Sequence, residues 1–315
     1  MPDRPAAVVT GVSSFVGFHL ADAFARAGWR VIGVHQRPRH AYGGVQDARL
    51  SRLSGEIEFR CMDIRDGSAI TELIDGIEPE LWIQHAGYVE NYGSMDYDLV
   101  AAAEVNVAPL RPLYVALART RCTVILTGSS MEYSPSERAN REGDVCRPDF
   151  PYGLSKLTAT LTAQQLALFY SVPTRVARLF IPFGPLDSPR KLIPSVAQSL
   201  KAAAPIDLSS CEQRRDFIAV DDVGRAYLAL ANDMPRALFD VFNISSGKPL
   251  SLKVLLLAMA NAIGRDAALL RFGALPMRPG EGPVSFGDNS KAKTLLAWQP
   301  QDPETSVIDF VRGSQ

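Results

Sequence analysis

Cysteine is scarce in this chain. Cys61, Cys122, Cys146 and Cys211 stand far apart, so neither a disulfide framework nor a thiolate metal site is expected. The four histidines include no pair at ligand spacing, which argues against zinc. A formal net charge of −1 and a pI near 6.4 exclude a global field that would recruit nucleic acid or anionic lipid. Long hydrophobic runs are missing too. The longest, such as VLLLAMA at 254–260, fall far short of the ~20 residues that a membrane span needs. The opening MPDRPAAVVTG shows no basic segment followed by a long apolar stretch, as a signal peptide would. Together these absences predict a cytoplasmic protein with no membrane and no nucleic-acid partner. What is present, 47% hydrophobic and 21% charged residues over 315 positions, allows a substantial core and a second lobe.

The first half alternates short β-branched runs with helical patterns. AAVVTG (6–11) precedes a helix through 17–28 and then RVIGVH (30–35). IEFRCMDI (57–64) precedes a helix over 69–77, and LWIQHAG (81–87) one helix over 99–120. TVILTGSS (123–130) and PTRVARLF (173–180) follow. Such alternation predicts βαβ units in a doubly wound parallel sheet, with its ligand crevice at the carboxyl ends of the strands. The second half is mixed, with strand-like DVFNISS (240–246), a helix from Ser251 to about Ile263 and a Pro/Gly-rich loop at 273–283. An α/β fold with a smaller, mixed C-terminal lobe is expected. The dinucleotide-binding domain would span 1–180, rejoined by about 212–246, and the substrate lobe 181–211 and 247–315.

Two short motifs carry chemistry. TGVSSFVG (10–17) joins the first strand to a helix. Gly11 permits the turn, Gly17 close packing, and the amides at the helix start attract an anion. Ser14 occupies the middle position of the three-glycine pattern, so the motif also fits a turn without ligand. Its place on the first strand of a βαβ series favours a dinucleotide. PYGLSK (151–156) sets Tyr152 and Lys156 four apart, on one face of a helix that begins at Pro151. In isolation the pair reads more readily as surface decoration than as a working site.

These motifs, with MDIRD (62–66), HAG (85–87), TGSSMEY (127–133), RLFIPFGP (178–185), RDFIAVDDVGRA (215–226), RPGE (278–281) and DNSKAKTLLAWQP (288–300) in that order, resemble the extended short-chain dehydrogenase/reductase superfamily over nearly the whole length. These are the nucleotide-sugar epimerases, dehydratases and reductases, with a Rossmann-type sheet. The resemblance implies that Tyr152 and Lys156 are the acid/base pair and that Ser129 is the hydroxyl on the reacting oxygen. Lys156 is expected to lower the phenol's pKa. It also implies that the cofactor lies against Gly11, Ser13, Ser14, Phe15, Val16, Gly17, Arg37, Asp63, Ile64, His85, Ala86, Gly87 and Asn106, as well as Tyr152 and Lys156. Ser130, Met131, Ile181, Arg215 and Arg278 would line the substrate, the two arginines holding a nucleotide diphosphate.

Departures from the family refine this. Dehydratases place an acid and a base where this chain has Ser130 and Met131. Methionine transfers no proton, and Glu132, one residue on along a strand-like segment, should point elsewhere. Relatives usually have asparagine at Ile181. The second strand ends in VIGVHQRPRH (31–40), without the ribose-binding acid of NAD enzymes and with Arg37 and Arg39 close behind. That favours NADP(H), with NAD(H) as the alternative. The leading expectation is therefore an NADP(H)-dependent reductase of a nucleotide-linked keto-sugar of the 4-keto-6-deoxy type. The alternatives are an NAD-dependent nucleotide-sugar 4-epimerase and a non-catalytic dinucleotide-sensing protein. The resemblance also implies a homodimer through the helices that include 99–120 and 152–170; the apolar residues of 157–170 fit that, as they would a helix buried within one chain.

Overall fold

The computed structural model describes residues 4–53, 55–233, 237–277 and 280–313. The β-branched runs become strands β1 (Ala6–Thr10), β2 (Arg30–His35), β3 (Glu58–Cys61), β4 (Leu81–Gln84), β5 (Thr123–Ser129) and β6 (Thr174–Leu179). A seventh strand, Phe239–Ile244, completes one sheet in the order Phe239–Ile244, β6, β5, β4, β1, β2, β3. Every pairing in it is parallel, with Val8 of β1 between Ile32 and Trp82. Both faces are covered, which is why β1 and β6 are buried at every position. The chain runs outward from β1 on one side and from β4 on the other, so a crevice opens where their carboxyl ends diverge.

The helices are α1 (Phe15–Arg26), α2 (Gly44–Leu53), α3 (Gly67–Ile77), α4 (Leu99–Asn106), α5 (Leu110–Leu117), α6 (Pro151–Tyr170), α7 (Leu192–Lys201), α8 (Val220–Asn232), α9 (Leu252–Ala262), α10 (Ser290–Leu296) and α11 (Pro303–Arg312). One apolar layer brings Phe24 of α1, Leu50 of α2 and Tyr227 of α8 together, and the other Ile74 of α3, Tyr114 of α5 and Ala163 of α6. A third cluster, with Leu200, Leu256 and Val307, forms the core under α7, α9 and α11. The stretch 99–120, expected as one helix, is two. Pro109 lacks the amide for continuing the ladder, and its ring would clash with the carbonyl four residues back. No helix among the described residues is long and apolar enough to cross a membrane.

Sheet and C-terminal lobe meet at Asp216. Its buried carboxylate accepts the Ser246 hydroxyl at 2.6 Å and amide at 2.8 Å, the Gly247 amide at 3.1 Å and the Gly287 amide at 3.2 Å.

Candidate active site

The crevice begins with a clasp between β1 and β4. The Thr10 hydroxyl accepts the amides of His85 at 2.9 Å and Ala86 at 3.0 Å. This draws the two chain turns so close that a Cβ on Gly11, which has φ +77, would stand 3.0 Å from Ala86 Cα. A Cβ on Gly17 would lie 2.2 Å from the Gly11 carbonyl oxygen. Only glycine fits either position. Ser14 is tolerated in the middle because its hydroxyl turns inward. It accepts the Gly17 amide at 3.1 Å, capping α1, and meets His85 Nε2 at 3.1 Å. The first-turn amides of Phe15 and Val16 have no partner within the helix and face along its axis, where the dipole favours an anion. The loop thus fits a dinucleotide's pyrophosphate. The Ser13 carbonyl is held by Arg49 at 2.9 Å, which also grips the Leu186 carbonyl. No motif pointed to Arg49; it lies on α2, whose apolar periodicity is weak.

Behind the loop, His85 Nδ1 meets the Thr127 hydroxyl at 3.1 Å, which in turn meets the Tyr227 phenol at 2.7 Å. Burial, with Lys156 nearby, pushes the His85 pKa down to about 3, so the ring is neutral. Gly87 and Asn106 are architectural: Asn106 accepts the Tyr88 amide at 2.9 Å and donates to Ser155 at 2.8 Å, tying the turn after β4 to α6. Ile64 is buried in the apolar layer. Asp63 is pulled down to about 2 by its hydrogen bond to Arg65 and is also contacted by Gln36.

The basic turn after β2 differs from expectation. Arg37 stacks 4.4 Å from the centre of the Tyr42 ring and donates to Gln46 at 2.9 Å. Arg39 is paired with Asp47 and bonded to Ser51. Both guanidinium groups are engaged within the protein, and Asp47, the first acid after the strand, serves Arg39.

At the far side of the crevice, α6 starts with Pro151 in its first turn and presents Tyr152 and Lys156 toward the end of β5. The Ser129 hydroxyl accepts the Met131 amide at 3.1 Å and lies near enough to the Tyr152 phenol to oppose the rise in its pKa. Ser129 and Tyr152 thus lie side by side, with Lys156 one turn further along the same helix. Tyr92 and Tyr97 set their rings edge-on to Tyr152, each with a centroid distance of 5.7 Å. The expected electrostatics are corrected here. Burial, not the lysine, dominates the tyrosine and pushes its pKa up, with Tyr97 adding to the rise and the Ser129 hydrogen bond opposing it. Burial likewise lowers Lys156, while Glu132 opposes that shift.

Ser130, Met131 and Glu132 form one 3-10 turn rather than a continuation of the strand. Glu132 does point elsewhere, but because the turn carries it inward to Arg178 at 2.8 Å. The start of α6 rests on this turn, since a Cβ on Gly153 would fall 2.0 Å from the Met131 carbonyl oxygen. On the substrate side, the Ile181 amide donates to the Asp216 carbonyl at 3.1 Å and its side chain is partly exposed. Arg215 donates to Glu281 and the Gly282 carbonyl, both at 2.8 Å, and so secures the 281–283 loop. Arg278 lies outside the described residues.

Residues 7–245 match the NAD dependent epimerase/dehydratase family. The chain belongs to this family. It is accordingly an enzyme of the NAD(P)-dependent oxidoreductase or epimerase class. A probable UDP-glucuronate 4-epimerase of Rhizobium meliloti is 25% identical over 96% of this chain and 95% of its own. A CDP-abequose synthase of Salmonella typhimurium is 25% identical over 97% and 95%. A solved structure of a UDP-glucuronic acid 4-epimerase mutant from Bacillus cereus, in complex with a fluorinated UDP-glucuronic acid and NAD, shares the fold. Its TM-score is 0.85 at 21% identity, covering 98% of this chain and 100% of that one.

Proposed function

We propose that this family member is an NAD-dependent 4-epimerase of a nucleotide-linked sugar. The observation that carries the proposal is the meeting of Ser129, Tyr152 and Lys156 beside a glycine loop, with Ser130 and Met131 where an eliminating acid and base would be needed. Inverting one carbinol centre requires a proton to leave a hydroxyl and return, without net redox change. The dinucleotide, when bound, takes up and returns the hydride. Tyr152 removes and restores the hydroxyl proton at its phenolic oxygen, and Ser129 donates a hydrogen bond to the sugar oxygen. Lys156, one turn along, stabilises the phenolate. Tyr92 and Tyr97, edge-on to the Tyr152 ring, restrict its orientation.

The NAD preference replaces the expectation of NADP(H). It is supported by the internal engagement of Arg37 and Arg39 and by the NAD named with the Bacillus structure. The keto-sugar reductase is a second reading, favoured by the lack of an acid at His35 and Gln36. Arg215 would hold the diphosphate while securing the loop beside it. Leu161, Leu168 and Phe169 on the outward face of α6 are more than half exposed, which supports a homodimer through that helix. The four free cysteines support a cytoplasmic setting.

The test is turnover of UDP-glucuronic acid and UDP-glucose by wild type and Tyr152→Phe. We expect epimerisation with no net change in cofactor absorbance, lost by ~10²–10⁴-fold in the mutant, with NAD affinity nearly unchanged. Stoichiometric NADPH oxidation by a 4-keto-6-deoxy nucleotide sugar, without epimerisation, would select the reductase instead.

A further inference from the structure

Glu132 is the one carboxylate of the TGSSMEY motif, and its chemistry plays no part in the reaction described above. It is completely buried. Oε1 accepts the Ser129 amide at 2.8 Å, and Oε2 accepts the Thr160 hydroxyl at 3.1 Å and Arg178 Nε at 2.8 Å. Those partners lie on three elements: the end of β5, the turn of α6 just beyond Lys156, and β6. Space for the carboxylate is made by Gly128, where a Cβ would come 2.7 Å from Oε1. Arg178 is fixed in turn, donating to the Tyr133 phenol at 2.8 Å with its guanidinium 4.7 Å from that ring's centre. Tyr133 donates to Asn243 at 2.9 Å, on the last strand of the sheet.

A buried ion pair is a weak means of stabilising a fold, since well-packed apolar residues of similar volume do as well or better. This one converges instead on the backbone amide of Ser129 and on the helix that carries Tyr152 and Lys156. We propose that the Glu132–Arg178 pair is the positioning device of the site, holding the Ser129 hydroxyl against Tyr152 and fixing the charge beneath the phenol and the ammonium. The inference rests on the catalytic reading of Ser129, Tyr152 and Lys156.

The electrostatic consequence has a definite sign. The groups that act on Tyr152 are Tyr92 and Tyr97 from the loop after β4, Ser129 from β5 and Glu132 from the turn; Lys156, one turn along the same helix, is acted on by Glu132 and lies near His85. Of these, Glu132 opposes ionisation of Tyr152 and favours the charged form of Lys156. Neutralising it therefore eases phenolate formation while loosening the geometry.

Glu132→Gln, Glu132→Asp, Thr160→Val and Tyr152→Phe are compared as full-length protein with NAD. Thermal melts check folding. Epimerisation of UDP-glucuronic acid or UDP-glucose is followed against pH, and phenol ionisation is followed by ultraviolet absorbance with Tyr152→Phe as the blank. Glu132→Gln is expected to lose about tenfold or more in kcat with little change in KM, and to move both the acid limb and the Tyr152 titration to lower pH. Glu132→Asp keeps the charge but not the reach, so kcat falls and the limb stays. Thr160→Val, which removes one hydrogen bond and no charge, should fold even if Glu132→Gln does not, and should lower kcat by roughly threefold at unchanged KM. Wild-type kcat in Thr160→Val, or a folded Glu132→Gln with wild-type kcat and an unmoved limb, overturns the inference. Wild-type turnover in Tyr152→Phe would instead remove the catalytic reading beneath it.

Discussion

Gly17→Ala is the sharpest perturbation of the cofactor loop. The added methyl carbon would sit 2.2 Å from the Gly11 carbonyl oxygen and 2.9 Å from the Ser14 hydroxyl oxygen. Normal contact requires about 1 Å of backbone movement. The loop has little freedom to supply it. The Gly11 amide is bonded to the Val34 carbonyl at 2.9 Å, Ser14 is tied to His85, and Thr10 clasps the turn after β4. Overpacking of this kind costs ~1–3 kcal/mol. Because the displaced atoms belong to the anion-binding turn, most of that cost should appear in cofactor binding, raising the Kd for NAD by roughly 5- to 150-fold at ~1.4 kcal/mol per decade. Gly76→Ala is the control. It lies inside α3 with nothing within 4 Å of the new methyl, and should stabilise by ~0.5–1 kcal/mol with unchanged affinity. Titration calorimetry with NAD and thermal melts measure both. A Gly17→Ala protein with wild-type NAD affinity and melting temperature would refute the close-contact argument.

Arg215→Met should weaken UDP binding by roughly 1.5–3 kcal/mol; unchanged affinity in calorimetry would leave the arginine only its hold on Glu281 and Gly282. His85 should give the fold an acid-sensitive component. Its folded pKa of about 3 lies below the ordinary 6.5, so its contribution is full above pH 6.5 and is lost as pH falls toward 3, by up to ~1.4 kcal/mol per unit. Urea titrations between pH 7 and 4 should show a shallower loss in His85→Asn. Wild type is expected to run as a dimer by light scattering at micromolar concentration and Phe169→Glu with Leu161→Glu as a monomer; a monomeric wild type would refute the proposed α6 interface.

The sheet was legible because its strands are short, β-branched and separated by helical spacing, as Val8, Ile32 and Ile83 illustrate. The tight turn at Gly11 and Gly17 and the placing of Tyr152 and Lys156 on one helix were legible because glycine spacing and an i, i+4 pattern are local properties of the chain. Contacts between distant segments were not. Arg49 reaches Ser13 and Leu186, Glu132 reaches Arg178, and Arg37 finds Tyr42 and Gln46; a one-dimensional pattern does not specify which partner a long polar side chain selects. The phenol's pKa was misjudged for a related reason. Spacing displays the lysine but not the burial, which depends on Tyr92, Tyr97 and the packing of α6.

The four donors gathered on Asp216 have a consequence for how the molecule comes apart. They come from the segment just after the last sheet strand and from Gly287 near the chain's end, while Asp216 itself precedes α8. The sequence crosses between the sheet and the C-terminal lobe several times, and this carboxylate fastens the crossings together in the interior. Neither part can melt without stranding a buried charge or several buried amides. The two parts should therefore unfold in a single transition, and a chain cut after β6 would lack both a sheet strand and the donors that close it.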